Sequence, residues 1–239
     1  MSGALEADDR FLSIYENRAA AYHELVSCED TRGNLSAALR EIVDFGGKTV
    51  VELGAGTGRV TAIVAPVAGR VMAFDRSRHM LDRAATALSG FRNVSLAAAE
   101  NLSVPLPDGS ADVVIEGWSF GHGITSAGAA WKTAAERLWG ETMRLLAAGG
   151  TAILIETLGT GFRTAAPPGV LLPAFYAWLE AEKGFQKKCI RTDYLFESPA
   201  KARELVEFFF GAMVDHEVLP SGQVVVPECT GIWWRRKQP

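Results

Sequence analysis

Cysteine is scarce in this chain, with three in 239 residues, at positions 28, 189 and 229. They are widely spaced, form no C-x-x-C pair and have no nearby histidine to complete a zinc site. An odd number cannot close fully into internal disulfides, so free thiols in a reducing, cytoplasmic setting are expected. Positive charge is not in excess either: 24 Lys and Arg stand against 28 Asp and Glu, for a net charge of −4. A field of that sign does not draw a chain onto a phosphate backbone or an anionic lipid surface. The one basic cluster, Arg235-Arg236-Lys237, reads as a solvated end. No apolar run approaches the ~20 residues of a membrane span. The acidic opening segment lacks the apolar stretch of a signal peptide. Internal repeats and low-complexity segments are missing as well. Nucleic acid and membrane are therefore not the expected partners.

What is present is an ordinary globular composition, 48% apolar and 22% charged. From about residue 35 onward, β-branched runs alternate with helical patterns. Runs at 49–53, 70–75, 94–96, 111–116 and 151–156 read as strands. Between them, 59–65, 78–88 and 130–147 read as helices, the last two ended by glycine. Strands separated by helices imply right-handed crossovers, and so a doubly wound, mostly parallel α/β sheet. After a helix at 199–210, the runs 213–219 and 223–227 flank Pro220-Ser221-Gly222 and predict a C-terminal antiparallel hairpin, with its second strand resuming toward Trp233. Residues 157–198 are too long for a plain connection. They are rich in aromatics, from Phe162 to Phe196, and read either as a lid over a ligand or as an extra packing layer.

The chemistry concentrates after the first strand, in Glu52-Leu53-Gly54-Ala55-Gly56-Thr57-Gly58. Glycines at alternate positions let backbone turn sharply and approach a ligand closely. A dinucleotide fingerprint would place its third glycine at 59, where Arg59 stands, and the Gly-Lys-Ser/Thr of a P-loop is absent. Glu52 suits a ligand with an ammonium group better than a pyrophosphate, because like charges repel. Asp75 closes the second strand 21 residues after Gly54, where an acid can accept bonds from two ribose hydroxyls. Ser77 is the better N-cap for the following helix, which leaves Asp75 for a ligand.

These blocks, together with Ala99-Glu100-Asn101-Leu102, Leu106-Pro107-Asp108-Gly109-Ser110-Ala111-Asp112-Val113-Val114 and Arg144-Leu145-Leu146-Ala147-Ala148-Gly149-Gly150, resemble the class I S-adenosylmethionine-dependent methyltransferases. The likeness spans roughly residues 35 to 156, and its flavour is that of enzymes acting on quinone-like or other small metabolites. It implies a single Rossmann-like domain over 1–239. Residues 1–34 would form a helical cap, 157–198 an acceptor-pocket lid, and the hairpin after 213 the sixth and seventh strands.

By resemblance, Glu52 would face the methionine ammonium of S-adenosylmethionine. Gly54, Ala55 and Gly56 would lay their backbone against the cofactor, and Asp75 would hold its ribose. Arg76 and Met80 would flank the adenine, Ala99 would offer it a backbone N–H, and Glu100 would serve its amino group. The family often has an aspartate for that last task where this chain has Ala98. Glu116 and Gly117 would line the methionine portion. Tyr15 and Tyr22, on an amphipathic N-terminal helix, fit either a cap over the ligands or core packing.

A sulfonium-borne methyl group is already electrophilic, so alignment and water exclusion are the main tasks, with no metal or covalent nucleophile required. Trp118-Ser119-Phe120-Gly121-His122-Gly123 follows the fourth strand, where an acceptor is expected. His122 reads as a general base or as an organiser of its loop. Trp118 reads as a pocket wall or a core residue, and Glu156 as a pocket residue or a brace. The Asn-Pro-Pro-Tyr-like block that orients a base amine is absent. The expected partner is a small-molecule acceptor. A non-catalytic S-adenosylmethionine-binding module and, behind it, a nicotinamide oxidoreductase are the other readings.

Overall fold

The computed structural model describes residues 2–238. Five parallel strands form the centre: β1 (Thr49–Leu53), β2 (Arg70–Asp75), β3 (Val94–Ala98), β4 (Ala111–Gly117) and β5 (Leu146–Thr160). With β6 (Gln186–Arg191) and β10 (Glu228–Arg236) they make a seven-stranded sheet in the order β3-β2-β1-β4-β5-β10-β6. Only β10 runs against the rest, pairing antiparallel with both β5 and β6.

Alternate residues along these strands bury on opposite faces. Val50, Ile115, Ile153 and Ile232 belong to one core, and Val51, Val114, Leu154 and Trp233 to the other. A strand buried on both faces reads as a continuous apolar run, and this made β1, β2 and β4 legible. Helices cover both faces: α3 (Asn34–Ile42), α4 (Arg59–Val64), α5 (Arg78–Ala87), α6 (Phe120–Ala127), α7 (Trp131–Leu145) and α8 (Leu171–Ala181). Ser77 caps α5 as expected, its hydroxyl accepting from the Met80 N–H at 3.2 Å.

Two expectations are corrected. The hairpin at 213–227 is not the sixth and seventh strands of the sheet. Its short arms, β8 (Glu217–Val218) and β9 (Val224–Val226), join β7 (Tyr194–Phe196) in a separate three-stranded sheet. Pro227 cannot donate to a ladder, and beyond it the chain continues as β10 between β5 and β6. Nor is 157–198 one inserted lid. Phe175, Tyr176, Trp178 and Phe185 pack into the main core, and 186–191 is the outer strand of the main sheet. Phe162 is the exception, at 53% exposed on the loop after β5.

The N-terminal segment forms two helices rather than one, α1 (Ser2–Asn17) and α2 (Ala19–Ser27), broken at Arg18. They lie across the ends of β1 and β2. The His23 ring bonds the Thr57 hydroxyl at 3.0 Å, and the Ser77 hydroxyl donates to the Tyr15 carbonyl at 2.7 Å. Helix α9 (Pro199–Phe210) packs against α2 and β7 in a third, smaller core.

Candidate active site

Strand order reverses between β1 and β4, and ligands of open α/β sheets sit beyond the carboxyl ends of strands at such a switch. A cleft of about 520 Å³ opens there. Gly54 and Gly56 after β1, Asp75 to Met80 after β2 and Gly117 to Phe120 after β4 line it. Gly54 has φ of +68°, and a Cβ on it would lie 2.0 Å from the Ser119 hydroxyl, so only glycine fits. That hydroxyl also accepts from the Asn101 amide at 2.7 Å, tying the β4 turn to the segment after β3.

Asp75 is the polar hub of the cleft. Its Oδ2 accepts from the Gly56 N–H and its Oδ1 from the Ser77 N–H, both at 2.8 Å. Burial pushes its carboxyl above the usual aspartate range, and the two N–H groups oppose that shift. Each oxygen keeps a lone pair for a further donor. Arg76, Met80, Glu100 and Gly117 stand on the same cleft.

Four expected cofactor residues lie behind that wall. The Glu52 carboxylate is buried and accepts from the Thr61 hydroxyl on α4 rather than opening onto the cleft. Burial raises it to about 8. Ala55 donates its N–H to the Phe74 carbonyl at 2.8 Å. The Ala99 N–H, expected to be free for adenine, donates to the Asp75 carbonyl at 3.1 Å because β3 keeps its pairing with β2 to that point. Glu116 turns under α6, its Oε2 accepting from the Ser119 and Phe120 N–H groups at 3.1 and 3.2 Å. Burial, then the charge of Glu156, hold Glu116 well above the glutamate range.

A second cavity, of about 950 Å³ and mostly apolar, adjoins the cleft. Phe11, Tyr15, Tyr22, Trp118 and His122 line both. The Tyr15 hydroxyl and His122 Nε2 are 2.8 Å apart, with Phe11 edge-on to the imidazole at 5.1 Å. Burial holds the Tyr15 phenol well above its ordinary value and Tyr22 at about 12, so both stay neutral. Among the described residues Trp118 is one of two non-glycines with positive φ, at +54°. Such backbone persists only where its surroundings impose it. Here the Trp118 N–H donates to the Ile155 carbonyl at 2.7 Å, and the Arg59 guanidinium lies 4.1 Å from the indole centre. Glu156 faces the second cavity only, its Oε1 accepting from the Gly121 N–H at 2.6 Å.

Several site residues have no local signature. Arg59 occupies the place of a missing glycine, Glu29 follows the end of α2, Glu228 opens β10, and Phe209 and Phe210 close α9. Only the fold brings them to one cavity. Among the described residues, no three His, Cys, Asp or Glu side chains group as a metal site, and no helix is long and apolar enough to cross a membrane.

Comparison with known proteins agrees with this geometry. Residues 51–154 match the family described as "Methyltransferase domain". Across 117 residues the chain is 30% identical to an uncharacterised methyltransferase of Bacillus pumilus, a match over 47% of this chain and 54% of that protein. The chain thus spans about half the length of the curated relative it matches. Within residues 51–154 the chain is similar to methyltransferase domains. Its fold is that of a Bacillus halodurans protein provisionally described as a methyltransferase (TM-score 0.58, 18% identity, 87% of this chain and 100% of that one). It is also that of the Haemonchus contortus phosphoethanolamine N-methyltransferase 1, solved with phosphoethanolamine and S-adenosylhomocysteine. That match has a TM-score of 0.56 and 18% identity, over 99% of this chain and 50% of that one. The cleft at the β1–β4 switch is where open α/β sheets of this kind receive their ligands.

Proposed function

We propose that this protein transfers a methyl group from S-adenosylmethionine to a small acceptor held in the larger cavity. The supporting observation is the shared wall: Tyr15, Tyr22, Trp118 and His122 border both spaces, so ligands in the two would meet there. S-adenosylmethionine, when bound, supplies a methyl group activated by its sulfonium. In the cleft, Asp75 would take the ribose hydroxyls, and the backbone at Gly54 and Gly56 would lie against the cofactor. Arg76 and Met80 would flank the adenine, with Glu100 near its amino group. Gly117 would line the methionine portion.

The chain's own residues then have two tasks. The aromatic wall from α1, α2 and Trp118 excludes water from the junction, which favours displacement over hydrolysis. His122, oriented by the Tyr15 hydroxyl, takes the acceptor's proton where one must leave. A small acceptor, rather than nucleic acid or membrane, suits the apolar enclosure and the net charge of −4. A cytoplasmic setting suits the free thiols Cys28, Cys189 and Cys229.

Calorimetry with S-adenosylhomocysteine tests the cleft. Binding is expected, with Asp75→Ala weakening it at least tenfold, or about 1.4 kcal/mol. An absence of heat at millimolar ligand would sink the reading.

A further inference from the structure

The larger cavity holds polar atoms that methyl transfer at the shared wall leaves unused. Glu228 is 2% exposed and Glu29 8% exposed, and both line this cavity but not the cleft. Thr157 and Thr160 flank the Glu228 carboxylate, Thr157 donating to Oε1 at 2.8 Å. Glu228 Oε2 has no hydrogen-bond partner among the described residues, and neither does Glu29 Oε1. A buried acceptor without a donor is costly and uncommon in a folded protein.

Two acids share one cation here. Arg59 Nη1 pairs with Glu29 Oε2 at 2.7 Å, its plane lies against Trp118, and its Nη2 has no hydrogen-bond partner among the described residues. Glu228 feels the Arg59 charge without a direct pairing to it. Glu156, the other acid on the cavity, is held at the start of α6 by Gly121. The Tyr194 ring adds an aromatic face of the kind that attracts a desolvated cation. The rest of the lining, including Leu172, Phe209 and Phe210, is apolar.

We propose that the acceptor carries a protonated amine on an apolar body, and that Glu228 and Glu29 receive the amine while the methylated atom lies at the His122 wall. This rests on the methyl-transfer reading for the second half only. An ammonium group would give both orphaned oxygens a donor, and its charge would favour the ionised form of Glu228. Burial and the adjacent Glu29 charge push the Glu228 carboxyl up to about 8, a shift that an entering cation reverses.

Three phenylalkyl probes of matched length, 4-phenylbutylamine, 4-phenylbutanol and 5-phenylpentanoate, test this by calorimetry on the full chain, with and without S-adenosylhomocysteine. The amine is expected to bind at least tenfold more tightly than the alcohol, and the carboxylate more weakly than either. Glu228→Gln should remove the amine's advantage and Glu29→Gln should reduce it, with S-adenosylhomocysteine heat reporting that each variant is folded. Equal binding of amine and alcohol, preference for the carboxylate at Arg59, or an amine preference intact in both variants overturns the proposal. Loss of S-adenosylhomocysteine binding in the unaltered protein would instead overturn the cofactor reading, with the amine preference still measurable.

Discussion

His122 and Tyr15 come from distant parts of the chain and meet at 2.8 Å where the two cavities join. A neutral phenol beside an imidazole fixes which ring nitrogen faces the acceptor, much as any partner that bonds one nitrogen orients the other. If His122 removes a proton, His122→Ala should lower kcat on the natural acceptor by about 10²-fold or more and abolish the acidic limb of the pH–rate profile. Tyr15→Phe should lower kcat less and shift that limb while leaving its shape. An unchanged rate and profile in His122→Ala would make the residue an organiser of its loop. The sequence showed His122 as a candidate because it follows β4. Tyr15 was a candidate as well, as cap or as core, but its pairing with His122 was not legible because the two lie 107 residues apart.

Among the elements, the joint between α6 and β5 has little room to spare. A Cβ on Gly121 would lie 2.7 Å from Glu156 Oε2, on the carboxylate that accepts the Gly121 N–H. Gly121→Ala should therefore cost about 1–3 kcal/mol by overpacking, read as a lower urea midpoint with unchanged slope. It should also impair acceptor binding, because Trp118 and His122 flank this joint. A loss below about 0.5 kcal/mol would mean that the helix shifts freely. The elements themselves were largely legible. The five parallel strands announced themselves as apolar runs, and the Gly54 loop and Asp75 by spacing. The outer part of the sheet did not. Gln186-Lys187-Lys188-Cys189-Ile190-Arg191 is a polar edge strand with weak alternation, and β10, read only as the hairpin strand resuming toward Trp233, proved to be a separate strand of the main sheet. The orphaned acids at 29 and 228 were invisible because their meeting depends on pairings more than 100 residues apart.

For the whole molecule, buried acids set the response to pH. Glu52, Glu156 and Glu228 sit near 8 in the folded state, raised by burial from an ordinary 4.5. Each binds a proton more tightly folded than unfolded, so its contribution is fully present below about 4.5 and is lost as pH rises through about 8. Thermal unfolding should accordingly occur at lower temperature at about pH 9 than at about pH 6, and Glu52→Gln should flatten that dependence. A midpoint that rises over this interval would contradict the assignment. Surface pairs such as Lys132–Glu182 and Arg163–Glu217 are exposed and contribute little to the trend.

The placement of β10 has a further consequence for how the chain comes into being. Among the described residues β6 has no partner in the main sheet except β10, and β10 is synthesised after both β5 and β6. Until it arrives, the apolar edge of β5 is open and β6 is a strand without a neighbour, so the nascent protein carries an unguarded edge of the kind that recruits other chains. Insertion of β10 closes that edge and delivers Glu228 to the larger cavity in the same event. The cavity is thus incomplete until β10 has joined β5 and β6.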